Sequence, residues 1–201
     1  MNSKQLLIIF TRNLVYGKVK TRLAATIGHD RAFRVFKKLV NHTYAVTQQV
    51  NVEKIVYYSE QPEQSDVWNK YTKASQRGTD LGDRMRNALS DSFANGYMSV
   101  VIVGTDCFQI NPHIITQAFD QLINHDVVIG PATDGGYYLI GMNSLHAQLF
   151  ENIAWSTATV FQTTRSKCRM LSLSYSVLPV LSDIDEEKDL INSGLEEDII
   201  S

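Results

Sequence analysis

The feature that most constrains this chain is a set of short, unbroken apolar runs, each bounded by polar or turn-forming residues. "QLLIIF" at 5–10, "VVIVG" at 100–104, "VVIG" at 127–130 and "YYLIGM" at 137–142 are the clearest. A run without polar alternation has to be covered on both faces, the condition of a central strand in a parallel sheet. "VEKIVYYS" at 52–59 reads as another strand. Between the runs the apolar period lengthens to that of helices. Phe33, Phe36, Leu39 or Val40 and Tyr44 define one, with Asp30 as its N-cap. Met85, Leu89 and Phe93 define a second, closed by Gly96. Pro112 opens a third over 111–124, because Pro fits the first helical turn. Weaker helical patterns cover 144–151 and 157–167, extended segments fall within "RMLSLSYSVLPVL", and "DEEKDLINSG" is an acidic-headed final helix. Strands alternating with helices predict an α/β sheet with right-handed crossovers, built as a single domain over 1–201. In such sheets ligands bind beyond the carboxyl ends of the strands.

Composition narrows the function classes. A formal net charge of −2 excludes the broad basic face that a nucleic-acid polymer requires, so any positive patch is local and suited to a small anion. Cys107 and Cys168 are the only cysteines and lack metal-ligand spacing, which predicts a reduced, cytoplasmic protein with neither disulfide nor zinc. The N-terminal apolar run, Leu6–Phe10, is too short for a signal-peptide core or a membrane span.

Four loops at the predicted strand ends carry the unusual residues. "TRNLVYGKVKTRL" offers Arg12, Lys18, Lys20 and Arg22 around Gly17, a candidate diphosphate cradle or else a solvated basic loop. It lacks the glycine pattern of a Walker A loop, and no G-x-G-x-x-G is present. "VVIVGTDCF" ends a strand at Asp106, a carboxylate placed to hold Mg²⁺ or Mn²⁺ against substrate phosphates, or to close a turn. "GPATDGGYYLIGM" sets Asp134 before Gly135 and Gly136, which permit close backbone approach and equally suit a hairpin turn. "VLPVLSDIDEEKDL" places Asp183 and Asp185 two apart, so that in an extended chain both point one way. Either can complete a metal site, or Asp185 can cap the following helix.

These motifs, together with "SQRGTDLGDRMRNAL" and "WSTATV", make the chain resemble a bacterial family of glycosyltransferase-like domains of the arsenosugar-biosynthesis type. That family lies within the nucleotide-diphospho-sugar transferase (glycosyltransferase-A) superfamily, and the resemblance runs from about Leu6 to Leu190. It implies a Rossmann-like three-layer sandwich with a mixed, mostly parallel sheet of about seven strands. Lys18, Lys20 and Arg22 match the loop near the phosphates, and Gln76, Gly78 and Asp80 the segment near base or ribose. Asp106 matches the metal-bearing aspartate, with Asp183 or Asp185 as a second acid. Asp134, Gly135 and Gly136 match the loop near the transferred group or acceptor, where Asp134 is the candidate general base. The chain departs from the family where prolines are usual, carrying Leu14, Val15 and Tyr16 in the first loop and Phe108 after the Asp-Cys pair. Fewer prolines predict looser loops.

The expected activity is metal-dependent transfer of a sugar from a nucleoside-diphosphate sugar to a small acceptor. Nucleotidyl transfer from a nucleoside triphosphate to a phosphorylated small molecule is the alternative, and a non-catalytic nucleotide-binding module a third. Trp68 and Trp155 suit a core, a pocket or a subunit interface, and the oligomeric state is open.

Overall fold

The computed structural model describes residues 4–195. The strands are β1 (Gln5–Thr11), β2 (Glu53–Tyr58), β3 (Thr72–Ser75), β4 (Ser99–Gly104), β5 (Val127–Pro131), β6 (Tyr137–Met142) and β7 (Tyr175–Val177). The helices are α1 (Thr21–Ile27), α2 (His29–Gln48), α3 (Leu81–Ala94), α4 (Pro112–Gln121), α5 (Val160–Met170) and α6 (Glu187–Ser193). All seven strands join one sheet in the order β3-β2-β1-β4-β6-β5-β7. Only β6 runs antiparallel to its neighbours, so the sheet is mixed and mostly parallel as expected.

The unbroken apolar runs are explained by burial on both sides of the sheet. Leu7 and Ile9 of β1 join Val101 and Val103 of β4 on one face, under Phe36 and Val40 of α2 and Ile115 of α4. Leu6, Ile8 and Phe10 join Val100 and Ile102 on the other, under Met85 and Leu89 of α3 and Cys168 of α5. The result is an α/β/α sandwich, in which each fully buried Leu, Ile or Val contributes about 1.5–3 kcal/mol. Trp68 is 1% exposed and belongs to this core, stacked edge-on against Tyr44, so it forms no interface. A third cluster lies outside α2, where Leu23 of α1, Val35 and Leu39 of α2, and Ile184 and Leu190 at α6 pack together. It brings the first basic loop and the C-terminal acidic segment side by side.

Several boundaries differ from the sequence expectation. Gly28, not Asp30, is the N-cap of α2; Asp30 sits in the first turn and accepts the Tyr16 hydroxyl at 2.7 Å. Helix α1 begins with no side-chain cap, at Lys20, whose backbone is left-handed (φ 49°, ψ 45°). β3, "TKAS", is a half-exposed edge strand without an apolar signature. Over 144–151 only a 3₁₀ turn forms, at Ala147–Phe150, whereas α5 extends to Met170 and leaves β7 three residues long. Asp80 and Asn111 cap α3 and α4. Gly96 (φ 81°) follows Asn95, the C-cap of α3. A Glu186–Asp189 capping box starts α6.

Candidate active site

The parallel register aligns the carboxyl ends of four neighbouring strands. Phe10 of β1 pairs with Gly104 of β4, Thr11 with Tyr58 of β2, and Tyr58 with Ser75 of β3. The residues that follow, Arg12, Ser59, Gln76 and Thr105–Asp106, therefore lie along one edge. They line a cavity of about 660 Å³, a volume typical of a small-molecule site. Three inter-strand spacings from β3 to β4 span about 14 Å.

At the β3 end, Gln76 donates its side-chain amide to Tyr57 O at 3.0 Å and Thr11 O at 3.3 Å, fixing both strand ends. Its Oε1 faces Arg84, which also lines the cavity. Gly78 and Asp80 do not line it. Gly78 (φ 146°) lets the chain pass close to α3, since a Cβ there would meet Asp83 Cβ at 2.5 Å. Asp80 caps that helix by accepting Asp83 N–H at 2.8 Å. Both shape the wall from behind.

The three cations of "GKVKTRL" part company. Gly17 (φ 77°) turns the loop, and Lys18 faces the large cavity with Arg12. Lys20 turns inward, and its side chain is 5% exposed. Its Nζ lies 2.5 Å from Asp106 Oδ1 and 3.0 Å from Asp185 Oδ1. Arg22 Nη2 binds the other oxygen of Asp185 at 2.5 Å. Burial disfavours the Lys20 ammonium, but Asp106 and Asp185 outweigh burial and hold its pKa above the ordinary value. Burial likewise opposes the Asp185 carboxylate, and Lys20, then Arg22, hold its pKa below the usual range. A second, small cavity of about 130 Å³ lies here, lined by Arg12, Lys20, Thr21, Arg22, Asp106 and Asp185.

After β7 the chain crosses from β5 toward β4. Leu181 N–H donates to Pro131 O at 3.1 Å and Ile184 N–H to Asp106 O at 3.0 Å, with Asp183 bridged to Cys107. Asp183 and Asp106 are thereby set beside each other, both lining the large cavity. Burial and then the charge of Asp106 push the Asp183 carboxyl up to about 7, with Lys20 opposing. Two carboxylates on an open cavity fit the hard-oxygen, partly hydrated coordination of Mg²⁺ or Mn²⁺. Among the described residues no group of three or more His, Cys, Asp and Glu is arranged to hold a metal. Asp185 faces the cations rather than the large cavity.

Asp134, Gly135 and Gly136 form a turn beside the cavity, with Asp134 exposed and the glycines half-buried, but do not line it. Asp134 Oδ1 accepts Gly136 N–H at 2.8 Å. Gly135 (φ 88°) packs so tightly on "WSTAT" that a Cβ would meet Ala158 O at 2.1 Å. That contact carries Ser156 (φ 63°) to the cavity wall. Ser156, Arg84, Asn13 and Glu60 line or anchor the site and were not singled out by sequence reasoning, whereas Tyr137 and Tyr138, which the sequence offers as core, wall or sugar-stacking residues, both line the wall. Ser156 lay within the quoted "WSTATV", and Asn13, which binds Gln61 O and Glu63 Oε1 at 2.8 Å, within the first loop. Where prolines are missing, Tyr16 packs on Phe33 and bonds Asp30, and Phe108 stacks on His42 at 4.6 Å, so aromatic contacts to α2 tether both loops.

The sandwich, its strand order and the strand-end cavity define a fold shared by nucleotide-diphospho-sugar transferases and nucleotidyltransferases. The chain belongs to the family described as "Uncharacterized protein conserved in bacteria (DUF2064)", whose model matches residues 41–157. It is similar to a crystal structure from Desulfovibrio desulfuricans described as a "putative nucleotide-diphospho-sugar transferase". Identity is 33% over 94% of this chain and 85% of that one, at a TM-score of 0.85. The fold also matches CMP:2-keto-3-deoxy-manno-octonic acid synthetase complexed with CTP, at TM-score 0.60 and 12% identity, over 98% of this chain and 99% of that one. A Mycobacterium tuberculosis protein in complex with manganese matches at 0.56 and 10%, over 94% and 97%. No curated protein matches in sequence. No helix among the described residues is long and apolar enough to cross a membrane.

Proposed function

We propose that the protein is a metal-dependent, cytoplasmic transferase that moves a sugar from a nucleoside-diphosphate sugar to a small acceptor. The observation that carries this reading is one cavity with Gln76 at its β3 end, Arg12 and Lys18 along its side, and Asp106 with Asp183 at its β4 end. That order suits base and ribose, phosphates and sugar laid in sequence. Gln76 and Arg84 take the base end, with Gly78 and Asp80 holding the wall. Arg12 and Lys18 balance the phosphate charge, which favours a diphosphate as leaving group. Asp106 and Asp183 would hold Mg²⁺ or Mn²⁺, which neutralises charge developing on the diphosphate when bound. As the bond from the anomeric carbon to the phosphate oxygen breaks, the acceptor oxygen bonds that carbon and its proton passes to Asp134. Gly135, seated on Ala158, and Gly136, whose N–H holds the Asp134 carboxylate, would fix that base at the cavity rim. Within the superfamily, the motif set supports the arsenosugar-biosynthesis type as the finer assignment.

A second reading is nucleotidyl transfer from a triphosphate, which the small cavity beside Lys20 favours because it extends the basic lining past Arg12. A thermal-shift panel of nucleoside triphosphates and nucleoside-diphosphate sugars, each with Mn²⁺ and with chelator, separates the two. At a hundred times its Kd a ligand stabilises by about 2.7 kcal/mol, a shift of several degrees. Metal-dependent stabilisation greatest for one diphosphate sugar supports glycosyl transfer. A preference for a triphosphate supports nucleotidyl transfer, and no shift from any nucleotide contradicts both.

A further inference from the structure

Lys20 is held as a fixed counter-ion. Its neighbours Val19 and Leu23 are 3% and 0% exposed, and its own carbonyl accepts Ala24 N–H at 2.8 Å to open α1. Its left-handed backbone is costly for a residue with a Cβ and persists only where the surroundings over-determine it. Asp106 Oδ1 and Asp185 Oδ1 grip the ammonium from two elements that are distant in sequence, and Arg22 holds Asp185 in turn. Swinging Lys20 away would leave two carboxylates facing each other with less cation between them.

Resting on the assignment of Asp106 to the metal side, we infer that Lys20 occupies Asp106 so that a divalent cation does not bind the free protein and enters only with nucleotide phosphates. Around this point Asp106, Asp183 and Asp185 face Lys20, Arg22 and Arg12, three carboxylates against three cations. Glu186 reaches Arg22 at 3.9 Å and is itself balanced by Lys188 at 2.8 Å. With these charges already balanced, a divalent ion alone would add uncompensated positive charge within a few ångström of the ammonium on the same carboxylate. The phosphates of a nucleotide bring the missing negative charge. Lys20 thus imposes an order of binding, nucleotide with or before metal, and keeps the empty protein from holding an idle ion.

The test uses the full chain and Mn²⁺ alone, with free Mn²⁺ read by electron paramagnetic resonance. Wild type is expected to bind Mn²⁺ weakly. Lys20→Met, which keeps length and loses charge, is expected to bind it with at least about tenfold lower Kd, since like-charge juxtaposition is strongly unfavourable. Lys20→Arg should behave as wild type, and Lys20→Met combined with Asp106→Asn should lose the gain. Lys20→Gln, whose amide still donates to one carboxylate, replaces Lys20→Met if that variant does not fold. Wild type binding Mn²⁺ as tightly as a folded neutral variant overturns the inference, whether both are tight or both are weak. Adding the nucleoside triphosphates with Mn²⁺ to wild type tests the transferase reading separately. A gained Mn²⁺ site without any nucleotide binding leaves the occlusion of Asp106 by Lys20 standing and sinks both the transferase and entry with nucleotide; nucleotide binding beside equal Mn²⁺ affinities keeps the transferase and sinks the occlusion.

Discussion

Asp106 is where the cation partners converge, with Lys20 on one oxygen and the large cavity on its open side. Asp106→Asn keeps the shape and removes the charge, so metal-dependent nucleotide affinity should fall by at least about tenfold while the melting transition stays cooperative. Unchanged metal-dependent affinity in a calorimetric titration would remove Asp106 from the site. Asp183 makes a different prediction. Burial, then Asp106, with Asp185 and Asp134 adding and Lys20 opposing, raises its carboxyl to about 7 in the folded protein. The unfolded chain releases that proton near the ordinary carboxylate value of about 3.9. The folded state is therefore favoured below that value and loses this contribution as pH rises toward about 7. In chelator, the Tm of wild type should drop relative to Asp183→Asn between about pH 4.5 and 7.5, by an amount on the order of a few degrees. A difference independent of pH would mean that Asp183 titrates normally. Neither the grip on Lys20 nor the state of Asp183 is legible in sequence. Lys18, Lys20 and Arg22 look equivalent there, and only folding separates the one that faces the cavity from the two that meet Asp185.

The elements that position the site divide by how much apolar signal they carry. β1, β4, β5 and β6 were readable because both faces are buried, α3 because Met85, Leu89 and Phe93 recur at the helical period, and α4 because Pro112 opens it. α1 and β3 were not. The first starts from a left-handed lysine without a cap, and the second is an edge strand of polar residues. Asp30 looked like a cap and proved to be a first-turn residue, because Gly28 supplies the unusual backbone. The turn after β5 carries the sharpest test at this scale. Gly135→Ala places a Cβ on Ala158 O in a left-handed backbone (φ 88°), so the turn or the "WSTAT" segment has to move. A loss of about 2–4 kcal/mol in urea-unfolding stability is expected. Gly136→Ala, whose nearest contact is an Asp134 carboxylate oxygen at 3.1 Å and whose φ is not left-handed, should cost less. Equal losses at the two positions would show that the packing of Gly135 on Ala158 is not what fixes the turn.

Across the whole molecule, the positive charge at the strand-end cavity is local. The chain is net −2, yet Arg12 and Lys18 face one cavity while the outer cluster of α1, α2 and α6 locks Lys20 and Arg22 onto acids. The α/β class and the placement of the loops at strand ends followed from the sequence, since alternation of strands and helices fixes where the loops emerge. Which acid faces the cavity did not follow, because Asp183 and Asp185 differ only in how the C-terminal segment crosses to β4. The central claim is that this cavity binds its ligand through phosphates. It is tested most directly by isothermal titration of the protein in Mn²⁺ with a nucleoside, its diphosphate and its triphosphate, at low and high salt. The account predicts affinity that rises by at least about tenfold from nucleoside to phosphorylated forms and that weakens with salt, since the attraction to exposed Arg12 and Lys18 is screened. Equal affinity for a nucleoside and its phosphates, unmoved by salt, would contradict it.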